Sequence, residues 1–348
     1  MLKFCLPIIL SIFFIFTIVD AVQLKYQVIT ASEPVSNTIY IYEPVYCQCG
    51  ILVDTGRAGL TDNETGERLL TFLDATNTDL EFVLITHAHI DHYSGVPFIK
   101  ENFPRMKFYV PNVDILDELL QDVEVLRDAQ FLPQALAEFD WEDEIEVYPG
   151  GTTIDTLGSP LNIIPSSDGE AAETIHYSMV YDPVNSVLIA ADILYYESHV
   201  YFGPTVNHER LDFWYNDLFD ELLATYKNTN RVIPGHGPVL STDQFVERPI
   251  TVAVKNAREY MDSFMALLMT CEANDQGEQE HLSLQQIAEK LIETYPDYQG
   301  QDVAGFLTTN TAWVDFQNNQ SCNSSDASHN NSINFLLLLV LVILLVLY

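Results

Sequence analysis

From about residue 22 to residue 237, short β-rich runs alternate with stretches of helical periodicity. The pattern predicts strands at residues 26–30, 38–42, 50–54, 82–86, 108–110, 144–148, 152–157, 175–181, 186–190 and 231–233. Several of these are continuous apolar runs, such as Ile51-Leu52-Val53 and Phe82-Val83-Leu84-Ile85. Runs of that kind suit strands buried on both faces. Helical periodicity falls at about 65–75, 113–127 and 208–227. Strands covered on both faces, with helices between them, imply an α/β fold of two stacked sheets with helices outside, a four-layer αββα sandwich. After Pro238 the pattern predicts helices only, at 242–271 and 282–294. In the first of these, Val252, Val254, Ala257, Tyr260, Met261, Phe264, Leu267 and Leu268 recur at helical spacing and read as core packing against the sandwich.

Both ends depart from this pattern. Residues 4–19 are an apolar stretch after Met1 and Lys3, and Val19-Asp20-Ala21 supplies small residues at a cleavage site, so 1–21 reads as a signal peptide. Residues 335–348 are 14 uninterrupted apolar residues, short of the ~20 that a spanning helix needs. They follow a polar run, 326–334, and the small residues Asn323, Ser324 and Ser325, which is the order of a GPI-attachment signal. The expected organisation is a sandwich domain over 22–240, a helical extension over 241–316, an Asn/Ser-rich stalk with the anchor site over 317–334, and the tail. The expected location is the extracellular face of the plasma membrane, held by a C-terminal lipid anchor, or otherwise the secreted medium.

Sequons at Asn63, Asn319, Asn323 and Asn330 agree with that route. The mature chain keeps Cys47, Cys49, Cys271 and Cys322, an even number that implies disulfides in an oxidising compartment. The short Cys-x-Cys loop argues against a bridge within it, so a link from this pair to Cys271 is expected.

Of the 348 residues, 15 are Lys or Arg and 50 are Asp or Glu, a formal net charge of −35. With 48% apolar and 11% aromatic residues the chain has ample core and is not disordered despite that charge. So acidic a surface repels phosphate backbones, which excludes nucleic acid as the expected partner. An anionic substrate would need a local positive focus, and a metal ion supplies one.

The chemistry concentrates in Thr86-His-Ala-His-Ile-Asp-His92, directly after the apolar run ending at Ile85. Imidazole and carboxylate are good donors to borderline divalent metals, and a strand-to-loop junction aims them at one point. Four donors on one turn exceed what a single tetrahedral ion with an open position takes, so the spacing implies two metals. This H-x-H-x-D-H pattern resembles the metal-binding signature of the metallo-β-lactamase-fold superfamily. Val53-Asp54-Thr55-Gly56 resembles its first motif, Ala191-Asp192 its bridging motif and Pro234-Gly235-His236-Gly237 its last, in the family's order over roughly residues 26–238.

The resemblance implies His87 and His89 as ligands of a first ion, Asp91, His92 and His236 as ligands of a second, and Asp192 as the bridge. It also implies a metal-bridging hydroxide as nucleophile, zinc as the expected metal, and Asp54 as the residue that orients the site. Asp54 and Asp91 are therefore carried as catalytic residues. His199, in the Tyr195–Tyr201 stretch after the bridging motif, is a third candidate, as proton donor or substrate ligand. Trp214, Tyr215 and the long C-terminal helix are expected as the opposite wall of the cleft.

One motif departs from the family. Its third motif carries a His about 19 residues before the bridging Asp, and that position here is Glu173. Glu173 is the first choice for the missing ligand, followed by Glu170 or His176 and then by no ligand at all. With Glu173 bound, two divalent ions are balanced by three carboxylates and a hydroxide, so the centre has one positive charge fewer than with His. Such a site holds a less acidic water and tolerates Mn²⁺ or Fe²⁺ beside Zn²⁺.

The expected activity is metal-dependent hydrolysis of an ester, lactone, thioester or sulfate in a small or lipid-like substrate. Two alternatives stand beside it: a mononuclear iron sulfur-dioxygenase, and a surface binding protein that keeps metals for structure.

Overall fold

The computed structural model describes residues 22–30, 36–57, 63–167, 169–237, 248–274, 276–301, 307, 310–320 and 322. The expected signal peptide and C-terminal tail, and the sequons at Asn323 and Asn330, lie outside the described residues.

Among the described residues, eleven strands form the two large sheets. In the first, β1 (Lys25–Thr30), β2 (Asn37–Glu43), β3 (Cys49–Val53), β4 (Asp79–Leu84), β5 (Phe108–Val110) and β6 (Ile145–Val147) lie side by side in sequence order. Pairing is antiparallel from β1 to β3 and parallel from β3 to β6. The second sheet comprises β7 (Thr153–Ile154), β8 (Leu161–Pro165), β9 (Ser178–Asp182), β10 (Val187–Tyr195) and β11 (Arg231–His236), again side by side, with only the β10–β11 pair parallel.

The helices α1 (Asn63–Thr76), α2 (Ile90–Tyr93), α3 (Val96–Asn102), α4 (Val113–Asp128), α5 (Gln134–Ala137) and α6 (Trp141–Glu144) connect the strands of the first half. In the second half lie α7 (His208–Asp212), a π-helical turn (Phe213–Leu218), α8 (Phe219–Thr225), α9 (Ile250–Leu268), α10 (Leu284–Thr294) and α11 (Thr311–Asn318).

The continuous apolar strands explain the layering. Successive side chains of a strand point to opposite faces, so each run feeds two cores. Ile51, Val53, Phe82 and Leu84 meet Val187, Ile189 and Ile163 between the sheets. Leu52, Val83 and Ile85 face outward onto Leu69 of α1, Ile99 of α3 and Ile115 and Leu119 of α4. Leu188 and Ala190 face the other way, onto Trp214, Phe219, Val254, Ala257 and Tyr260. Three apolar interlayers make four layers. Each fully buried Leu, Ile or Val contributes ~1.5–3 kcal/mol, and a charge at Val83 would reverse that contribution.

Several expectations are corrected. β8 was not predicted, because Asn162 and Pro165 break its apolar run. β9 starts at Ser178 instead of residue 175, since the preceding loop is drawn away to α4 through Thr174 and His176. The C-terminal part is not helical throughout: β12 (Cys271–Ala273) pairs with β13 (Gln279–His281), and the mostly polar sequences CEA and QEH carry no alternation that would announce them. The expected stalk begins inside folded structure. Gln317 on α11 is buried and donates its side-chain amide to Leu268 O at 3.1 Å and Leu282 O at 3.0 Å.

The cysteines pair differently too, as Cys47–Cys49 and Cys271–Cys322. Gln48 takes the left-handed backbone (φ 51), which brings the Cα atoms of its two neighbours to 5.1 Å. Cys271 opens β12 and meets Cys322 just beyond α11 instead.

Candidate metal centre

The site lies at the ends of β3, β4 and β11 and at an irregularity within β10. At the end of β3 the backbone of Asp54 turns into the left-handed region (φ 59), and its N–H donates to Leu84 O on β4. That turn aims the Asp54 carboxylate along the first histidine loop. Oδ1 accepts from Thr86 N–H at 2.8 Å, and Oδ2 accepts from Thr86 Oγ1 at 2.9 Å and faces His92 Nδ1 at 2.9 Å. Thr86 Oγ1 also lies 2.9 Å from His87 Nδ1. With their Nδ1 atoms held from behind, His87 and His92 present Nε2 to the interior, the usual way a second partner sets an imidazole for a metal. The short helix α2 then brings Asp91 and His92 round one turn behind His89.

From the other sheet, β10 is irregular at Ala191, whose φ of 45 marks a left-handed residue inside a strand. This kink re-aims Asp192 into the gap between the sheets. Gly235 admits it, because a Cβ there would stand 2.0 Å from Asp192 Oδ1. Tyr195 donates its hydroxyl to Asp192 Oδ2 at 3.0 Å, and its ring stacks on His236 at 5.0 Å and 6°.

Two donor sets result: His87, His89, Glu173 and Asp192 in one, and Asp91, His92 and His236 in the other, the atoms within each lying inside 4.8 Å of one another. Between the sets, Asp192 Oδ1 is 3.2 Å from His92 Nε2 and Oδ2 is 3.0 Å from His236 Nε2. Nε2 of His92 and of His236 point at each other across 3.3 Å. His87 and His92 are fully buried, whereas the side chains of His89 and Asp91 are 23% and 14% exposed, so the centre opens on their side.

These residues fit divalent cations. Both Glu173 oxygens and Asp192 Oδ1 are buried with no hydrogen-bond partner, although His89 Nδ1 stands 3.0 Å from Glu173 Oε1. Buried carboxylate oxygens without donors are costly unless a cation neutralises them. Proton affinities show the same conflict. Burial opposes charge on His92, yet the carboxylates of Asp192, Asp91 and Asp54 outweigh it and hold its pKa well above the imidazole range. His87 is driven well below that range by burial and by His92. Burial pushes Glu173 upward against the opposing pull of His89. The ring of imidazoles, His236 foremost, overcomes burial and depresses Asp192. Ions placed here would displace those shared protons, which makes their affinity pH-dependent.

The seven residues expected as ligands are thus gathered, with Asp54 directly behind them. Glu170 is not among them; its Oε2 accepts from Ser167 N–H at 2.8 Å in a local turn. His176 is half-buried outside both sets. His199 does not reach the centre either. It is buried among aromatic residues, with Nδ1 2.9 Å from the Tyr260 hydroxyl and its ring edge-on to Tyr298, and burial lowers its pKa to about 4. From the same stretch, Tyr201 does arrive, its ring 5.4 Å from that of His89. Trp214 is core instead of cleft wall, fully buried, with its indole N–H donating to Ile193 O at 3.0 Å.

Sequence reading missed the supports. Ser36 Oγ donates to Asp91 O at 3.0 Å, and Asn37 Nδ2 donates to Pro234 O at 3.0 Å. Neither belongs to a recognisable pattern, since both act through backbone carbonyls distant in sequence.

The family model described as "Metallo-beta-lactamase superfamily" matches residues 33–236, more than half of the chain and every residue of this centre. The chain belongs to the metallo-beta-lactamase superfamily. Within 61 residues, 18% of this chain, it is 43% identical to hydroxyacylglutathione hydrolase 1 of Vibrio vulnificus, 25% of whose length is covered. It is 27% identical over 203 residues, 57% of this chain, to beta-lactamase-like protein 2 homolog of Caenorhabditis elegans, 55% of whose length is covered. The chain therefore spans at most about half the length of these curated relatives. A metallo-beta-lactamase family protein of Thermus thermophilus shares the fold, with a TM-score of 0.51 and 13% identity over 81% of this chain and 91% of that one. Metallo-beta-lactamase membership accounts for the αββα sandwich.

Proposed function

We propose that this chain is a binuclear metal-dependent hydrolase. His87, His89, Glu173 and Asp192 would hold one divalent ion, and Asp91, His92, His236 and Asp192 the other. Zinc is the ion proposed, with manganese or iron(II) tolerated because Glu173 adds an oxygen donor where the family's third motif has nitrogen. The carrying observation is Glu173 itself, fully buried, with Oε1 3.0 Å from His89 Nδ1 and Oε2 buried without a hydrogen-bond partner. When bound, such ions lower the pKa of bound water and polarise a carbonyl or sulfuryl oxygen.

The chain's own residues prepare that chemistry. Asp54 orients His92, and the Tyr195 hydroxyl holds Asp192 Oδ2. The open side at His89 and Asp91, with Tyr201 beside it, is the proposed path for an ester, lactone, thioester or sulfate of a small or lipid-like substrate. Hydrolysis is also the activity in the name of the V. vulnificus relative. The terminal signals support placement at the cell surface through a lipid anchor, and two disulfides suit an oxidising compartment.

Elemental analysis of the purified protein beside an Asp192→Ala control tests the reading. About two ions per chain, falling sharply in the control, is the expected result. Folded protein without bound metal would sink it in favour of a surface binding protein. A single iron would move the sulfur-dioxygenase alternative ahead.

A further inference from the structure

We propose that Glu118, on α4, is a positioning residue of the metal centre that holds Glu173 where it meets its ion. The inference rests on the reading of Glu173 as a metal ligand. Glu173 lies in the loop between Pro165, where β8 ends, and Ser178, where β9 begins, so no strand or helix aims it. Its aim must come from neighbours.

Glu118 provides them, one oxygen for each contact. Oε1 accepts from Thr174 Oγ1 at 3.1 Å, and Oε2 accepts from the His176 N–H at 3.2 Å. These contacts fall one and three residues beyond Glu173. The Glu173 carbonyl is held separately, accepting from Thr205 Oγ1 at 3.0 Å. An ionised carboxylate accepting two donors makes charge-assisted bonds, roughly twice as strong as neutral ones.

The same face of α4 reaches the second donor set. Asp122, one turn beyond Glu118, accepts from the Tyr93 hydroxyl at 2.5 Å, and Tyr93 follows His92 in α2. The helix itself is immobilised. Ile115, Leu119 and Val123 are buried in the core, and Asn112 Oδ1 caps the first turn by accepting from Ile115 N–H at 3.0 Å. One rigid helix thus ties the loop carrying Glu173 to the turn carrying Asp91 and His92. Supporting contacts of this kind are what keep first-contact ligands within the tolerance a metal allows.

The test is a Co²⁺ titration of the full chain after chelator stripping, with competition against a chromophoric chelator. It is run on wild type, Glu118→Gln, Glu118→Ala and Glu173→Ala, alongside the melting temperature of each metal-free protein. Glu173→Ala is expected to lose one ion. Both Glu118 variants are expected to weaken that same ion about tenfold or more, leaving the affinity and visible spectrum of the other unchanged. Glu118→Gln keeps the side chain's size and one acceptor, so it decides the matter if Glu118→Ala does not fold. Equal weakening of both ions, in step with a lower melting temperature, would reduce Glu118 to general support and overturn the proposal. Wild-type affinities in both Glu118 variants, with Glu173→Ala one ion short, would overturn it while leaving Glu173 a ligand. Two ions held at wild-type strength by Glu173→Ala would overturn the ligand reading and this inference together.

Discussion

Asp54 Oδ2 lies 2.9 Å from His92 Nδ1, and both side chains are completely enclosed. A carboxylate there keeps a proton on Nδ1, so that the Nε2 lone pair faces Asp192 and His236 once a metal displaces the proton shared there. Asp54→Asn separates this charge effect from the backbone, since Asn tolerates the left-handed conformation that Asp54 adopts. The amide offers either a donor or a neutral oxygen to Nδ1. The ion proposed at Asp91, His92 and His236 is expected to bind 10–100-fold more weakly, with the other proposed ion little affected. Metal titration checks this, and unchanged affinity would remove Asp54 from the centre.

Replacing Glu173 by His restores the family's usual nitrogen donor and removes one negative charge beside the ions. The rising limb of the pH–rate profile is expected to move to lower pH, and preference is expected to shift from manganese toward zinc. A profile that stays in place, measured with the same metal loaded, would contradict the charge argument.

His199 makes acid stability testable. Its pKa is about 4 in the folded chain, lowered by burial, against ~6.5 for a free imidazole. Above pH ~6.5 both states hold it neutral and it contributes no slope. Between ~6.5 and about 4 the unfolded chain takes up a proton that the folded chain refuses, so stability falls as pH falls, by at most ~1.4 kcal/mol per pH unit. Urea unfolding of wild type and His199→Gln across pH 4.5–7 reads this as a difference that changes with pH. A constant difference would place the imidazole in contact with water.

The Cys271–Cys322 bridge spans 51 residues and ties the chain beyond α11 to the β12–β13 hairpin. Chain-entropy arguments give such a closure about 4 kcal/mol, and far less to the Cys47–Cys49 bridge, which spans 2 residues. Thermal unfolding of Cys271→Ser/Cys322→Ser is therefore expected to show a much larger loss than Cys47→Ser/Cys49→Ser. Equal losses would mean that the metal-free unfolded chain is already compact in this region.

Much of this architecture was legible without coordinates, for a physical reason. Apolar runs such as Ile51–Val53 reveal two-face burial because strand geometry is local. His87, His89, Asp91 and His92 announce themselves because one strand-to-helix turn is enough to converge them. Asp54, Asp192 and His236 follow apolar runs that end at the same edge of the sandwich, so motif order alone located them.

What the sequence could not decide depends on packing between distant segments. Glu170, Glu173 and His176 sit within seven residues, and it is in the folded chain, where α4 holds Thr174 and His176 and Thr205 holds the Glu173 carbonyl, that Glu173 faces inward. His199 had the right chemistry seven residues after Asp192, yet it points into the aromatic core formed with Tyr260 and Tyr298. The cysteine pairing depended on the unforeseen hairpin and on α11 reaching into the supposed stalk. Local periodicity and motif spacing therefore determined the layers and most of the donors. The choice among neighbouring side chains was left to tertiary contacts, because a loop has no periodicity of its own and takes its direction from whatever it packs against.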